Sequence, residues 1–190
     1  KHAAMLASCI ASGWPIEAYV AADHPLQLLN RRHVALFSGT PVGDIRLGTD
    51  GCSVPVFALP LAHAARLVAL VAGADDGALP DELAPHRARI SDAMRAAPEM
   101  VGGTGRADTD VMRATAGRVV CKVGAEGVWC LGIAERRAGI TVKCLDGSSE
   151  AARRTGLALL RAANVLDDAV WDALAPHHDP VVRNHAGLDV

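Results

Sequence analysis

The chain has 190 residues, 51% of them apolar, 21% charged and 3% aromatic, with a formal net charge of −2. That balance is globular and excludes a disordered polymer, and interspersed Lys/Arg and Asp/Glu leave no basic stripe for a nucleic acid. No apolar run reaches the roughly 18 residues of a membrane span; the longest, near "LVALVAG", has the length of a core helix. The length suits one large domain or two small ones. Scarce aromatics and abundant alanine mean a core of Ala, Val, Leu and Ile. Cys9, Cys52, Cys121, Cys130 and Cys144 make an odd count without a CxxC pair. That argues against a disulfide framework and for a reducing compartment, so the expected location is the cytoplasm.

The opening "KHAAMLASCIASGWP" reads as a helix already under way at residue 1, with Gly13 and Trp14-Pro15 as its stop. A natural N-terminus rarely begins inside an element without a cap, so the chain is expected to be the C-terminal part of something longer. "HPLQLLNRRHVALFSG" gives a second helix ending at Gly39. "GDIRLGTDGCSVPVFALPL", rich in prolines and turn formers, predicts an irregular connection. Helices follow over about 60–72 and near 86–97; in the latter Ile90, Met94 and Ala97 share one side and Pro98 ends the run. From Arg118 the period changes to two. "RVVCKV", "GVWCLGIAE" and "GITVKCLDG" predict a three-stranded antiparallel meander. A helix over about 149–163 is capped by Ser148 or Ser149, with Gly156 permitting close approach to the sheet. A short helix near 168–175 and irregular chain complete the protein. The fold class expected is α+β, with a mostly helical region over 1–117 and strands plus a C-terminal helix over 118–190 of the same domain.

Four segments carry chemistry. Lys1-His2 stands at a helix start, where an anion is favoured; the pair is either solvated or meets a substrate, an acid or a metal. In "GTDGCSVPVFALP", Cys52 follows the Asp50-Gly51 turn and reads either as a small packed thiol or as an exposed ligand or nucleophile. The other four cysteines belong to packing. "GGTGRADTDVM" is a glycine loop before a helix that Asp108 or Thr109 could cap, and it holds Arg106, whose planar fork suits a carboxylate. It forms neither a P-loop nor a dinucleotide motif. In "VVCKVGAEGVW", Val119, Cys121 and Val123 share one face, Val120 and Lys122 the other. Lys122 reads either as an edge-strand lysine that blocks aggregation, or as a base beside a catalytic hydroxyl.

Together "KHAAML", "GWP…Y…HPLQ", "GTDGCSVPVFALPL", "GGTGRADTDVM", "KVGAEGV" and "KCLDG" resemble the L-asparaginase II family, the class 3 asparaginases, over essentially the whole chain. The resemblance implies a serine-β-lactamase/glutaminase-like fold and hydrolysis of L-asparagine to L-aspartate and ammonia. It implies two Ser–Lys pairs beside a zinc ion held by Cys, Lys and Cys. Lys1 matches the metal-ligand lysine, Cys52 the second cysteine, and Asp50 a nearby acid; Lys122 matches the lysine of the second pair. His2, Asp50 and Arg106 are the expected substrate-binding residues, Asp50 and Arg106 having the charges that suit the α-amino and α-carboxylate groups. The first cysteine, both serines and the first pair's lysine match chain upstream of residue 1, so residues 1–190 alone are expected to be inactive. They are also expected to leave an exposed sheet edge, hence aggregation or oligomers. A homodimer is implied by the family. The alternatives are a non-catalytic zinc- or ligand-binding module of the same fold, and an amidase for L-glutamine or a β-lactam-like amide.

Overall fold

A computed structural model describes residues 1–77, 79–181 and 184–189. The chain is α+β and divides into two compact units, Lys1–His63 and Ala64–Val190, each with its own core. The division does not coincide with the change of periodicity at 118.

The first unit holds α1 (His2–Ser12), α2 (Pro25–Ser38), β1 (Arg46–Thr49) and β2 (Pro55–Ala58). Both helices end where the sequence predicts. Gly13 and Gly39 adopt the left-handed conformation that a side chain would resist, and each returns its N–H to the last turn. His24 caps α2, its Nδ1 accepting from Leu26 N–H at 3.2 Å. The irregular connection expected after α2 is instead an antiparallel hairpin, β1 pairing with β2 from Arg46↔Ala58 to Thr49↔Pro55. Leu47, Thr49, Val56 and Phe57 supply strand-forming residues, while Pro55 sits at the first position of its strand, where a missing N–H costs little. The turn closes on itself, Asp50 N–H donating to Val54 O and Ser53 N–H to Asp50 O, both at 2.9 Å. Met5, Cys9, Leu26 and Val54 form the core, with Trp14, Tyr19, Val20 and Cys52 packed against it.

Helix α3 (Leu61–Val71) runs across the division. Then come α4 (Ala84–Ala96), α5 (Pro98–Val101), α6 (Ala107–Ala114), β3 (Val119–Gly124), β4 (Val128–Ile133), β5 (Ala138–Lys143) and α7 (Ser149–Ala162), followed by α8 (Asp168–Ala173) and α9 (Ala175–His178). The short helix expected near 168–175 is thus two, meeting at Leu174. The irregular tail expected beyond them falls partly on positions 182, 183 and 190, outside the described residues. On α4, Ile90 is 57% exposed and Ser91 takes the buried position. One further reading is corrected. Asp108 and Thr109 do not cap α6; both are buried within it, and Arg106 stands at the N-cap without a side-chain cap bond.

The predicted meander is present, in the order β3-β4-β5. Alternation sends Trp129, Leu131 and Ile133 to one face, where they join Val119, Cys121 and Val142 of the flanking strands and Ala152, Leu157 and Leu160 of α7. Ser148 caps α7, its Oγ accepting from Ala151 N–H at 3.1 Å. Gly156 lets α7 lie on the Trp129 ring; a Cβ there would come to 2.5 Å from Trp129 Cε3. On the opposite face, Val120 pairs with Gly132 and Gly132 with Gly139, a row of low side chains across three strands. Helix α3 uses that row: a Cβ at Gly132 would meet Val68 O and Ala72, and one at Gly139 would meet Ala65 O. Arg95 of α4 ties the neighbourhood together, donating to Gly117 O at 2.8 Å, Ala72 O at 2.5 Å and Ser91 Oγ at 2.6 Å.

Helix propensity and packing make opposite forecasts for Gly156→Ala. Propensity alone would stabilise α7 by about 1 kcal/mol, whereas overpacking against Trp129 costs about 1–3 kcal/mol. Packing should win, and urea unfolding should show a net loss of stability; a gain would mean that α7 does not touch the Trp129 ring.

Candidate functional site

In the first unit the hairpin turn delivers Asp50 to the start of α1, 49 residues away in sequence. Lys1 Nζ donates to Asp50 Oδ2 at 2.9 Å, and the Cys52 thiol donates to the same oxygen at 3.1 Å. Asp50 Oδ1 takes the Gly51 N–H at 2.8 Å. The lysine at the helix start therefore meets an acid. The ammonium beside it, then the thiol and the Gly51 N–H, hold the Asp50 carboxyl down at about 2, against an ordinary 3.8. In return Asp50, and after it Cys52, push the Lys1 amine above its ordinary 10.5. The pair is solvated, with side chains 53% and 33% exposed, so it adds little to stability. His2, next on α1, places Nδ1 at 2.7 Å from the Tyr19 hydroxyl, and Gln27 donates to Tyr19 O at 2.8 Å.

Arg106 and Lys122 belong to the second unit. Lys122 is exposed on β3, which borders the sheet on one side among the described strands; its Nζ donates to Val123 O at 3.0 Å. Arg106 stands before α6 on the wall of a cavity of about 220 Å³. At the base of that wall Asp108, 2% exposed, takes the Trp129 indole N–H on Oδ1 at 2.7 Å and the Val123 N–H on Oδ2 at 3.2 Å. Thr109 Oγ1 lies 2.6 Å from Gly103 O and 3.1 Å from Pro98 O, closing the glycine loop onto α5.

A sequence model of the family described as L-asparaginase II matches residues 1–190. The chain belongs to the L-asparaginase II family. No curated protein matches it. Amide hydrolysis with asparagine as substrate is the activity that the family suggests. No described helix is long and apolar enough to cross a membrane.

The zinc expected of an L-asparaginase II protein can be tested against the donors present. Cys52 Sγ and Lys1 Nζ flank one Asp50 oxygen, and a sulfur and a nitrogen donor suit zinc in kind. Lys1 is held here as an ammonium, however, and would have to lose a proton to become a ligand. Among the described residues no three His, Cys, Asp or Glu side chains gather where a metal ion could be held. The donors agree with zinc in kind and convergence and fall short of four.

Four further residues complete the picture. Tyr19 and Gln27, which belong to the motif "GWP…Y…HPLQ" but to which the sequence assigns no role, support His2, and Arg153 and His177 line the Arg106 cavity. Arg153 and His177 stand in no segment with a chemical signature. Asp108 does, as an acid directly after a glycine loop and before apolar residues, and that pattern fits a buried carboxyl as well as a cap. The other thiols follow the packing reading: Cys9 and Cys121 are fully buried, and burial raises the Cys121 thiol well above its ordinary 9.0.

Because the folded pKa of Asp50 is depressed, what its pairing contributes is present above the unfolded value and lost as pH falls from about 4 toward 2. The Asp50 side-chain carbon, followed by NMR, should titrate near 2, and Lys1→Met should raise its midpoint toward 3.8. A midpoint unchanged by Lys1→Met would contradict the pairing.

Proposed function

We propose that this chain belongs to an amidohydrolase that converts L-asparagine and water to L-aspartate and ammonia, in the cytoplasm and as a homodimer. Family membership supports the reaction class. The observation that carries the reading to this chain is the convergence of Lys1, Asp50 and Cys52, residues that the family resemblance had named and that the hairpin joins across 49 positions. Five free cysteines accord with a reducing compartment. We take the architecture to be of the serine-β-lactamase/glutaminase type, an antiparallel sheet with helices on both faces.

Hydrolysis forms a bond from a nucleophile to the amide carbon, breaks the carbon–nitrogen bond and releases nitrogen as ammonia after it gains a proton. A base must take the nucleophile's proton, an acid must supply the leaving nitrogen, and a donor must face the developing oxyanion. In the second unit Lys122 is the residue assigned to proton transfer and Arg106 the one assigned to a carboxylate. In the first, Asp50 supplies a carboxylate of the charge that receives an α-ammonium, and His2, the neighbour of Lys1 on α1, is held by Tyr19. Lys1 and Cys52 would hold zinc; when bound, the ion supplies positive charge that orients anionic groups.

No serine among the described residues hydrogen-bonds to Lys1 or Lys122, whose partners are Asp50, Cys52 and Val123 O. That observation favours a second reading, a ligand-binding module of the same fold without turnover. Ammonia release from L-asparagine by the full-length protein decides between them, with L-glutamine run in parallel. The first reading predicts release that falls about 10²–10⁴-fold in Lys122→Ala and is also diminished in Cys52→Ala. A folded, zinc-loaded full-length protein that releases ammonia from neither amide would establish the second.

A further inference from the structure

The cavity beside β3 holds more than the Arg106 that the hydrolase reading uses. Its wall carries Arg106, from the loop before α6, and Arg153, from α7. Neither guanidinium has a hydrogen-bond or ion-pair partner among the described residues, although acids lie close by in the fold. Each of those acids is committed elsewhere. Asp108 is taken by the Trp129 indole and the Val123 amide. Asp110 accepts from His177 Nε2 at 2.7 Å, which fixes that ring, only 14% exposed, in the cavity wall. Glu150 pairs with Arg154, the neighbour that points to solvent. The start of α6 adds to the imbalance, since it lacks a side-chain cap and its first residues, Ala107 and Asp108, line the same space. The cavity thus presents two uncommitted forks, with Trp129 and Val123 as apolar wall.

That combination selects a ligand. Two planar forks suit two carboxylates, each able to take a bidentate pair of N–H donors. An apolar wall suits methylene carbons, which a phosphate or sulfate lacks. The volume of about 220 Å³ holds about seven waters at about 30 Å³ each, enough for an acid of eight or so heavy atoms. We propose that this cavity is a binding site for a small dicarboxylate of about four carbons, one carboxylate on Arg106 and the other on Arg153, its methylenes against Trp129 and Val123. The inference deepens the functional reading above by giving Arg106 a second arginine and a doubly charged ligand. It rests on that reading only through Arg106's assignment to a carboxylate, and binding is measured without turnover.

The test is a titration of the chain, carrying 5-fluorotryptophan, with succinate, acetate and inorganic phosphate, followed by fluorine NMR. Succinate should move the Trp129 resonance and leave that of Trp14, in the first unit, in place. It should bind at least tenfold more tightly than acetate or phosphate. Arg153→Gln and Arg106→Gln should each weaken succinate at least tenfold, and Arg154→Gln should not. Circular dichroism confirms that each variant is folded, and His177→Gln serves as a further wall variant if Arg153→Gln is not. No shift at Trp129 with succinate, equal binding of acetate or phosphate, or full binding in folded Arg153→Gln would each overturn the proposal. Ammonia release bears on none of these readouts, so a failed titration leaves the hydrolase reading to its own assay.

Discussion

The second unit is organised around one buried carboxyl group. Taking Asp108 out of water is costly unless its oxygens find donors, and both do: the Trp129 indole on one, the Val123 amide on the other. Those two bonds join the start of α6 to β3 and β4 at once. They also explain why a large indole can lie fully buried, since its single polar atom is satisfied. From Trp129 the constraint passes outward, for the ring that Asp108 fixes on one side is the ring on which Gly156 seats α7. The glycine loop before α6 ends at Arg106, two residues before Asp108, so anchoring Asp108 also positions Arg106 and one wall of the cavity.

Asp50 in the first unit is the counterpart with the opposite balance. It too is a carboxyl holding several donors together, an ammonium, a thiol and a backbone N–H, but it lies where water reaches it. A solvated cluster of this kind contributes little to folding and can exchange partners, which suits a place where protons, substrate groups or a metal come and go. The buried carboxyl shapes its unit and the solvated one remains available for chemistry. The same residue type takes either role according to burial, and burial is set by the elements that carry it: an eight-residue helix wedged against a sheet for Asp108, the tip of a two-stranded hairpin for Asp50.

Where the deciding interaction is local, the sequence reveals it. Gly13, Gly39 and Ser148 mark helix ends through their own backbone or the first turn, and period-two alternation from Arg118 discloses the meander because each strand lies next to its partner. Gly156 could be read because a glycine inside an apolar helix has few other uses. The β1–β2 hairpin is hidden because turn formers interrupt its stretch together with Pro55 and Pro60, which sit at a strand start and beyond a strand end. Asp108, like Thr109, looks like a cap in the sequence because its partner Trp129 is 21 residues away. The Lys1–Asp50 contact spans 49 positions, and only the resemblance to a family put both residues in one place beforehand. Arg153 and His177 reach their cavity by tertiary packing, and no local pattern announces it.

The account stands or falls on the bond between Asp108 and Trp129, and hydrogen exchange of the Trp129 indole N–H interrogates it most directly. In the native protein that proton should exchange only when the second unit opens as a whole, at the rate of its most protected amides. In Asp108→Ala it should become one of the faster-exchanging protons of the core, together with the Val123 amide. Rapid exchange of the indole proton in the unaltered chain, with the sheet amides still protected, would contradict the account.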